Sequence, residues 1–482
     1  MSKVEELKRN EQGTTSSKRQ RTDVLKKTPP ESKVIYKCSF IKPKNNKKCG
    51  LQVRKGQKYC FAHINLVGRS ENTESSKVSD VESDITRISK KGEIVKRVKC
   101  TVDPSHTVWE DHLSKHVKIC NMVKKKNEVE EKEKTCPWFR INYNVRDAKG
   151  EEVNVTSKDI DHDEWKRWIP KWTLQHDLIF LEELPLKNIE FKDGLEERFA
   201  ELSNQKHIRQ QSSLIGQLIE HEIVVKDADP GVVIEFGCGR AEFTRYFNKA
   251  MGRYLDHSLD NSAKYLLVDR DNPRLKFDKK IVHDSAEAEI SGVKLERLKV
   301  DIKDLKLIES LKSFRENNDG NSVMRYIGIS KHLCGVATDL TLRCLINTSK
   351  DYETEKERLK FGGCLVAMCC RHCCKYDWLL CESKSYLKEN FGIDETNFVY
   401  FRKMFAWATS GVNPQMSKTD TGDHFTGLSF EEREKIGLKM RRILDESRKY
   451  AMEQKGFDVQ IVRYVEREVS LENNCIIIKN CK

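Results

Sequence analysis

The sequence predicts an α/β domain built on a mostly parallel sheet closed by a terminal β-hairpin, with two small zinc-binding modules before it. Three observations carry this. Short apolar runs alternate with helical stretches from residue 232 onward, the pattern of a parallel sheet with helices on both faces. The turn Gly237-Cys238-Gly239 follows the first apolar run and opens a helix. Two groups of Cys and His at metal-ligand spacing lie in the first quarter of the chain.

The predicted strands are 232–236, 265–269, 297–301, 325–329 and 363–368, with a helix from about 242 to 251 after the first. Residues 458–464 and 475–478 flank a polar turn and read as a hairpin added to the sheet edge. Residues 195–222 have helical periodicity. The catalytic domain is expected to span 135–482. The stretch 68–92, rich in Ser, Glu, Asp and Lys, reads as a linker. Lys124-Lys125-Lys126 with Glu128, Glu130 and Glu131 reads as a charged linker or an exposed helix. No run of about 18 apolar residues predicts a membrane span, and residues 1–30 lack the apolar core of a secretory signal.

Charge is unevenly placed. Of 88 Lys+Arg and 75 Asp+Glu, residues 1–140 hold 33 and 18, so the first third is strongly basic and the rest near neutral. A basic segment on a neutral domain points to a polyanion, nucleic acid by default; the plainer reading is a solvated Lys-rich surface. Residues 1–33 read as a disordered basic tail. Within it Lys18-Arg19-Gln20-Arg21 reads as a weak nuclear-import signal or, more simply, as part of a charged tail, and the expected compartment is nucleus, cytoplasm or both. Seventeen cysteines without a signal sequence favour metal ligands, buried thiols or catalysis over a disulfide framework.

The first metal group, in module 36–66, is Cys38-x10-Cys49-x10-Cys60-x2-His63. Three thiolates and one imidazole close a tetrahedral zinc shell. The chain between them is too polar to fold around an apolar core, so zinc would supply roughly 10 kcal/mol of folding free energy. The second, in module 97–123, is Cys100-x5-His106-x9-His116-x3-Cys120. His112 shares a helix face with His116 and Cys120, giving five candidates for four positions; we take Cys100, His106, His116 and Cys120. This is not the spacing of the common DNA-reading finger.

In the catalytic domain, acids stand at successive strand ends: Glu235 before the glycine turn, Asp269 and Asp301. Gly237 and Gly239 let a nucleotide-like ligand approach the backbone, Asp269 is placed to bind ribose hydroxyls, and Asp301 to meet an adenine amino group. With the closing hairpin, this is the pattern of Rossmann-like class I methyltransferases, and the expected cofactor is S-adenosyl-L-methionine. The fourth strand runs into Ser330-Lys331-His332-Leu333-Cys334 and the fifth into Cys369-Cys370-Arg371-His372-Cys373-Cys374. Ligands of open α/β sheets sit beyond these strand ends. The Asp/Asn-Pro-Pro-aromatic tetrapeptide of many base N-methyltransferases is absent. Cys369 or Cys370 keeps a C5-pyrimidine mechanism open. Methylating a ribose hydroxyl needs a base or a strong positive field, and Lys331, His332, Arg371 and His372 are the candidates. The plainer reading has Lys331 and Arg371 bind phosphate and the histidines serve structure. The cysteine run reads as buried thiols, with a metal site as the alternative.

The combination resembles a eukaryotic family, the tRNA:m4X modification enzymes, 2′-O-methyltransferases acting on nucleotide 4 of the tRNA acceptor stem. The resemblance covers roughly residues 36–480. It rests on the two ligand spacings, Lys206-His207-x-x-Gln210-Gln211-Ser212-Ser213, the Glu235–Arg240 turn, Ser330-Lys331-His332-Leu333-Cys334-Gly335-x-Ala337-Thr338-Asp339 and Cys369–Cys374. It implies a ribose target at position 4, S-adenosyl-L-methionine, two structural zinc ions and a tRNA partner, with neither a membrane nor an obligate protein partner. The second finger also resembles one found in minor-spliceosome proteins. A splicing-associated RNA binder with a degenerate methyltransferase fold, or a base or protein methyltransferase, is the competing expectation. Region 374–430 is expected to help form the substrate pocket, with Tyr376, Trp378, Phe405 and Trp407 as nucleoside contacts or, more simply, core.

Overall fold

The computed structural model describes residues 37–42, 47–53, 86–88, 93–145, 161–256, 262–288, 290, 292–315, 323–355, 358–409, 419, 421 and 424–481. The tail 1–33, Cys60 and His63 lie outside them. The chain divides into two units, Met1–Ser114 and Lys115–Lys482.

The first unit carries two small sheets. Strands β1 (Ile41–Lys42) and β2 (Lys47–Lys48) pair antiparallel, and Cys38 and Cys49 are buried beside them with Phe40 and Val53. Strands β3 (Thr86–Ile88), β4 (Ile94–Lys99) and β5 (Thr107–Trp109) form an antiparallel meander. The end of the presumed linker 68–92 is therefore a strand.

The second unit is built on a seven-stranded sheet of β6 (Val232–Phe236), β7 (Lys264–Asp269), β8 (Lys294–Lys299), β9 (Met324–Cys334), β10 (Leu359–Cys369), β11 (Phe457–Arg463) and β12 (Asn474–Asn480). Their order is β11-β12-β10-β9-β6-β7-β8. Strands β8, β7, β6, β9 and β10 run parallel, and β12 is antiparallel to both of its neighbours. Burial on both faces explains the unbroken apolar runs. Val232, Ile234 and Phe236 join Leu266, Val268, Val366 and Met368 in one core layer. Val233 joins Tyr265, Leu267, Ile327, Ile329, Leu365 and Ile477 in the other, as the alternation of a strand requires.

The helix Lys206–Glu220 covers the second layer, and its Gln210, Gln211, Ser212 and Ser213 are buried. Ser212 and Ser213 donate to the carbonyls of Phe191 and Tyr464. Gly216 is obligatory, since a Cβ there would stand 1.8 Å from the Ile189 carbonyl oxygen. Ser212, Ser213 and Gly216 thus anchor the helix.

A third apolar cluster joins Trp165, Trp168 and Trp172 of the helix His162–Ile179 to Phe391, Phe398, Phe401, Phe405 and Met440. Each large side chain buried there contributes about 1.5–3 kcal/mol. Phe405 is wholly buried, Tyr376 and Trp407 pack against this cluster, and Trp378 packs against the first core layer. The segment between β10 and the last long helix is thus mainly core. That helix, Phe430–Glu453, begins at a capping box: Ser429 and Glu432 each accept a backbone N–H from the other, worth about 1 kcal/mol. The helix Asn121–Thr135 has no buried residue, as its charge pattern predicts. No helix among the described residues is long and apolar enough to cross a membrane.

Candidate active site and zinc module

The glycine turn sits where predicted, between β6 and the helix Glu242–Tyr254. Gly237 and Gly239 have φ of 65° and 48°, the left-handed region that glycine enters without strain. A Cβ at Gly237 would press on the Leu333 side chain at 3.2 Å, whereas one at Gly239 would meet nothing within 4 Å. The turn therefore packs against the end of β9 on one side and opens on the other. Asp269, the last residue of β7, spans the opening: its carboxylate accepts the Gly239 N–H at 2.7 Å and the Asp271 N–H at 2.8 Å.

Glu235 is buried under the turn and accepts the Thr244 N–H and hydroxyl. Desolvation pushes its carboxyl up to about 7, against the lowering effect of those two donors. β8 ends two residues before Asp301, which caps a short 3-10 turn by accepting the Lys303 N–H. Sequence reasoning missed Arg297. It clamps Asp278 with two bonds and donates to the Gly239 carbonyl at 2.8 Å, bracing the turn.

β9 continues five residues past its predicted end, through Lys331, His332 and Cys334. Ser330 pairs with Val366 and Leu333 with Met368, so Lys331 and His332 together oppose the single residue Ala367. Such a bulge re-aims side chains. Here it lets two consecutive residues reach one imidazole, that of His207 in the helix Lys206–Glu220. Lys331 Nζ is 3.1 Å from His207 Nδ1, and the rings of His207 and His332 are 6.4 Å apart.

Lys331 is only 7% exposed. Burial lowers its ammonium to about 8, although Glu242 and Glu235 pull the other way. His207 is lowered first by the Lys331 charge and then by burial. His332 has an outer edge open to solvent; desolvation of the rest, then the Lys331 charge, lowers it to about 4. At neutral pH the site thus holds a neutral His332 next to an amine close to its own titration point. His207 was visible only as part of a motif, since its partner is 124 residues away.

Arg371 is placed differently from the expectation that it serves catalysis. It is 1% exposed and makes a two-bond pair with Asp445 plus a 2.7 Å contact to Glu472. Glu472 also binds Arg441 and accepts the Cys370 N–H at 3.2 Å. Arg371 therefore locks the loop after β10 onto the last long helix and the hairpin, leaving no guanidinium edge for substrate. His372 is exposed in the same loop.

The cysteines of this loop divide. Cys374 is fully buried beside Asp339 and Arg448, as expected of packed thiols. Cys369 and Cys370 are half-buried and Cys373 is exposed. Cys334 at the end of β9 meets Cys369, and contact with that thiol lowers Cys334 to about 6 while Cys369 and Cys370 are raised.

In the second metal module, the ligand atoms of Cys100, His106, His116 and Cys120 all lie within 4.8 Å of one another. This is the predicted set of four, with His112 outside it. Cys100 follows β4 directly and His106 directly precedes β5, with the Cys100 N–H donating to the His106 carbonyl at 3.0 Å. His116 comes from the helix Leu113–Ile119, and Cys120 follows it. Two thiolates and two imidazoles at this separation fit tetrahedral zinc. Of the first module, Cys38 and Cys49 are described; their N–H groups donate to the Leu51 and Phe40 carbonyls.

The site thus belongs to an α/β protein with a mostly parallel sheet, a glycine turn faced by an acid at the next strand end, and a zinc-finger module. A family model described as Methyltransferase TRM13 matches residues 209–479, and one described as U11-48K-like CHHC zinc finger matches residues 97–121. The chain belongs to the TRM13 methyltransferase family. It is 33% identical over 455 residues to the tRNA:m(4)X modification enzyme TRM13 of Scheffersomyces stipitis, covering 90% of this chain and 98% of that one. To the proteins of the same name from Debaryomyces hansenii and Saccharomyces cerevisiae it is 34% identical, over 96% and 94% of this chain and 95% and 98% of theirs.

Proposed function

We propose that the protein is an S-adenosyl-L-methionine-dependent tRNA methyltransferase acting on the ribose 2′-hydroxyl of nucleotide 4 in the acceptor stem. The observation that carries the chemistry is the Lys331–His207 pair, set by a bulge beside the glycine turn. The tRNA substrate and the position rest on the family and on the names of its relatives. The strand order, with one antiparallel strand next to the edge, supports a class I Rossmann-like methyltransferase.

The residues present fit the cofactor. Gly239 leaves open space where any side chain would project, and each Asp269 oxygen keeps a lone pair for a ribose hydroxyl after accepting its backbone N–H. Asp301 stands one strand further along for the adenine amino group, and Glu235 backs the turn. When bound, S-adenosyl-L-methionine supplies an electrophilic methyl group. Lys331, as the neutral amine, accepts the proton of the attacking 2′-hydroxyl, and His207 holds its Nζ in place. His332, neutral and partly exposed, orients the ribose. The two zinc modules, 36–66 with Cys38, Cys49, Cys60 and His63 and 97–123 with the tetrad above, hold the acceptor stem with the basic arm. A-form RNA displays its 2′-hydroxyls in a wide minor groove suited to such shape-based contact.

The test is methyl transfer from labelled S-adenosyl-L-methionine to bulk tRNA lacking its modifications, with the labelled nucleotide mapped by nuclease resistance. A 2′-O-methyl mark at nucleotide 4 that disappears in Asp269→Ala is the expected result. Label on a base, or none in tRNA while the cofactor still binds, overturns the assignment.

A further inference from the structure

Apart from the finger tetrad, the described residues hold a second sulfur-rich group that could bind a metal. Cys334 is the last residue of β9, Cys369 the last of β10, and Cys370 follows with φ of 46°. Their Sγ atoms lie 3.7 Å apart for Cys334–Cys369 and 3.3 Å for Cys369–Cys370, with all three within 4.8 Å of one another. None is in a disulfide. Sulfurs sharing a tetrahedral zinc ion at about 2.3 Å each are about 3.8 Å apart. The spacing therefore suits three thiolates on one ion with only small rotations.

The contrast with the other thiols of the domain is informative. Cys364 and Cys475 are buried in the two apolar core layers, where a cysteine acts as a small hydrophobe. Cys334, Cys369 and Cys370 instead touch one another at the solvent-facing end of two central strands. Their backbone is held from outside. Glu472 accepts the Cys370 N–H, and the Arg371 pairs with Asp445 and Glu472 fix the loop that follows. Such support around ligands is what keeps a metal site geometrically fixed.

We propose that Cys334, Cys369 and Cys370 form a three-thiolate zinc site, with the fourth coordination position open to solvent. It ties the ends of β9 and β10 together next to Lys331, and it shares no residue with the amino-terminal modules. The reading depends on neither the substrate nor the reaction proposed above.

The experiment is metal analysis of the full chain purified with zinc, wild type against the triple variant Cys334→Ser, Cys369→Ser, Cys370→Ser. The expected result is one zinc fewer per chain in the variant. Cobalt(II) exchange should give a thiolate charge-transfer absorption that weakens in the variant in step. Since the triple variant could misfold, alkylation of the wild type is followed by peptide mass spectrometry as well. The three thiols should resist alkylation with zinc bound and react many-fold faster after brief chelation, with circular dichroism of the domain unchanged. Equal zinc content in wild type and variant, alkylation rates indifferent to zinc, or a disulfide within the trio in the zinc-loaded protein overturns the proposal.

Discussion

If Lys331 is the base, the pH dependence of methyl transfer follows from its surroundings. With its ammonium lowered to about 8 by burial, about one-tenth of the amine is neutral at pH 7 and about nine-tenths at pH 9. The sign is fixed: the active form is the deprotonated one, so the rate rises with pH. kcat/KM for tRNA should climb with unit slope to about pH 8, bend, and gain about tenfold in all between pH 7 and 9. A lysine at its ordinary value of 10.5 would gain about a hundredfold over that interval without bending. The assay is initial-rate transfer of labelled methyl groups at saturating cofactor and constant ionic strength, because phosphate contacts make tRNA binding salt-dependent. Lys331→Arg keeps the positive charge but cannot give up its proton, and should lose about 10²–10⁴-fold in kcat with tRNA affinity little changed. A profile that rises straight through pH 9, or a Lys331→Arg enzyme within about threefold of wild type, would refute the assignment.

Three further outcomes are expected. Arg448 and Asp339 are both almost fully buried and bonded at 2.8 and 2.7 Å; Asp339→Ala leaves the guanidinium only Asp445 at 3.7 Å as carboxylate partner and should cost about 3 kcal/mol in urea unfolding, whereas Asp339→Leu combined with Arg448→Met should recover most of it. Gly239→Ala meets no neighbour but must hold φ of 48°, so stability should fall by only about 1 kcal/mol while calorimetry shows S-adenosyl-L-methionine binding weakened at least about tenfold. Glu235 keeps its proton in the folded protein up to about pH 7, while the unfolded chain loses it near 4.5. Its contribution to stability therefore falls as pH rises between those values. Glu235→Gln should unfold at higher denaturant than wild type at pH 8, by up to about 3 kcal/mol, and show no gain at pH 4.

The parts of the molecule governed by local pattern were legible in the sequence. Apolar runs gave all five parallel strands and the hairpin, because burial on both faces leaves a continuous signature. The second finger's grouping was legible because the spacing is short and the chemistry narrow, and Cys100, His106, His116 and Cys120 come together without His112. What escaped depends on distant partners. Arg371 read as a catalytic candidate or a phosphate binder because it follows a strand end, and only Asp445 and Glu472, 74 and 101 residues away, explain its burial. The importance of His207 and the brace from Arg297 are likewise tertiary facts. The extension of β9 was missed because Lys331 and His332 break the apolar run, and a bulge has no period to detect.

That bulge imposes a constraint of length rather than of identity. Two residues of β9 stand against one of β10, and side chains along a strand change face at every step. Dropping a single residue there would leave every neighbouring amino acid unchanged, yet it would turn one of Lys331 and His332 away from His207 and shift Cys334 out of step with Cys369. An exchange of one side chain for another removes one group and leaves the rest of the site in register. A one-residue insertion or deletion shifts all of them at once, so the distance from Ser330 to Cys334 works like a reading frame for this end of the sheet.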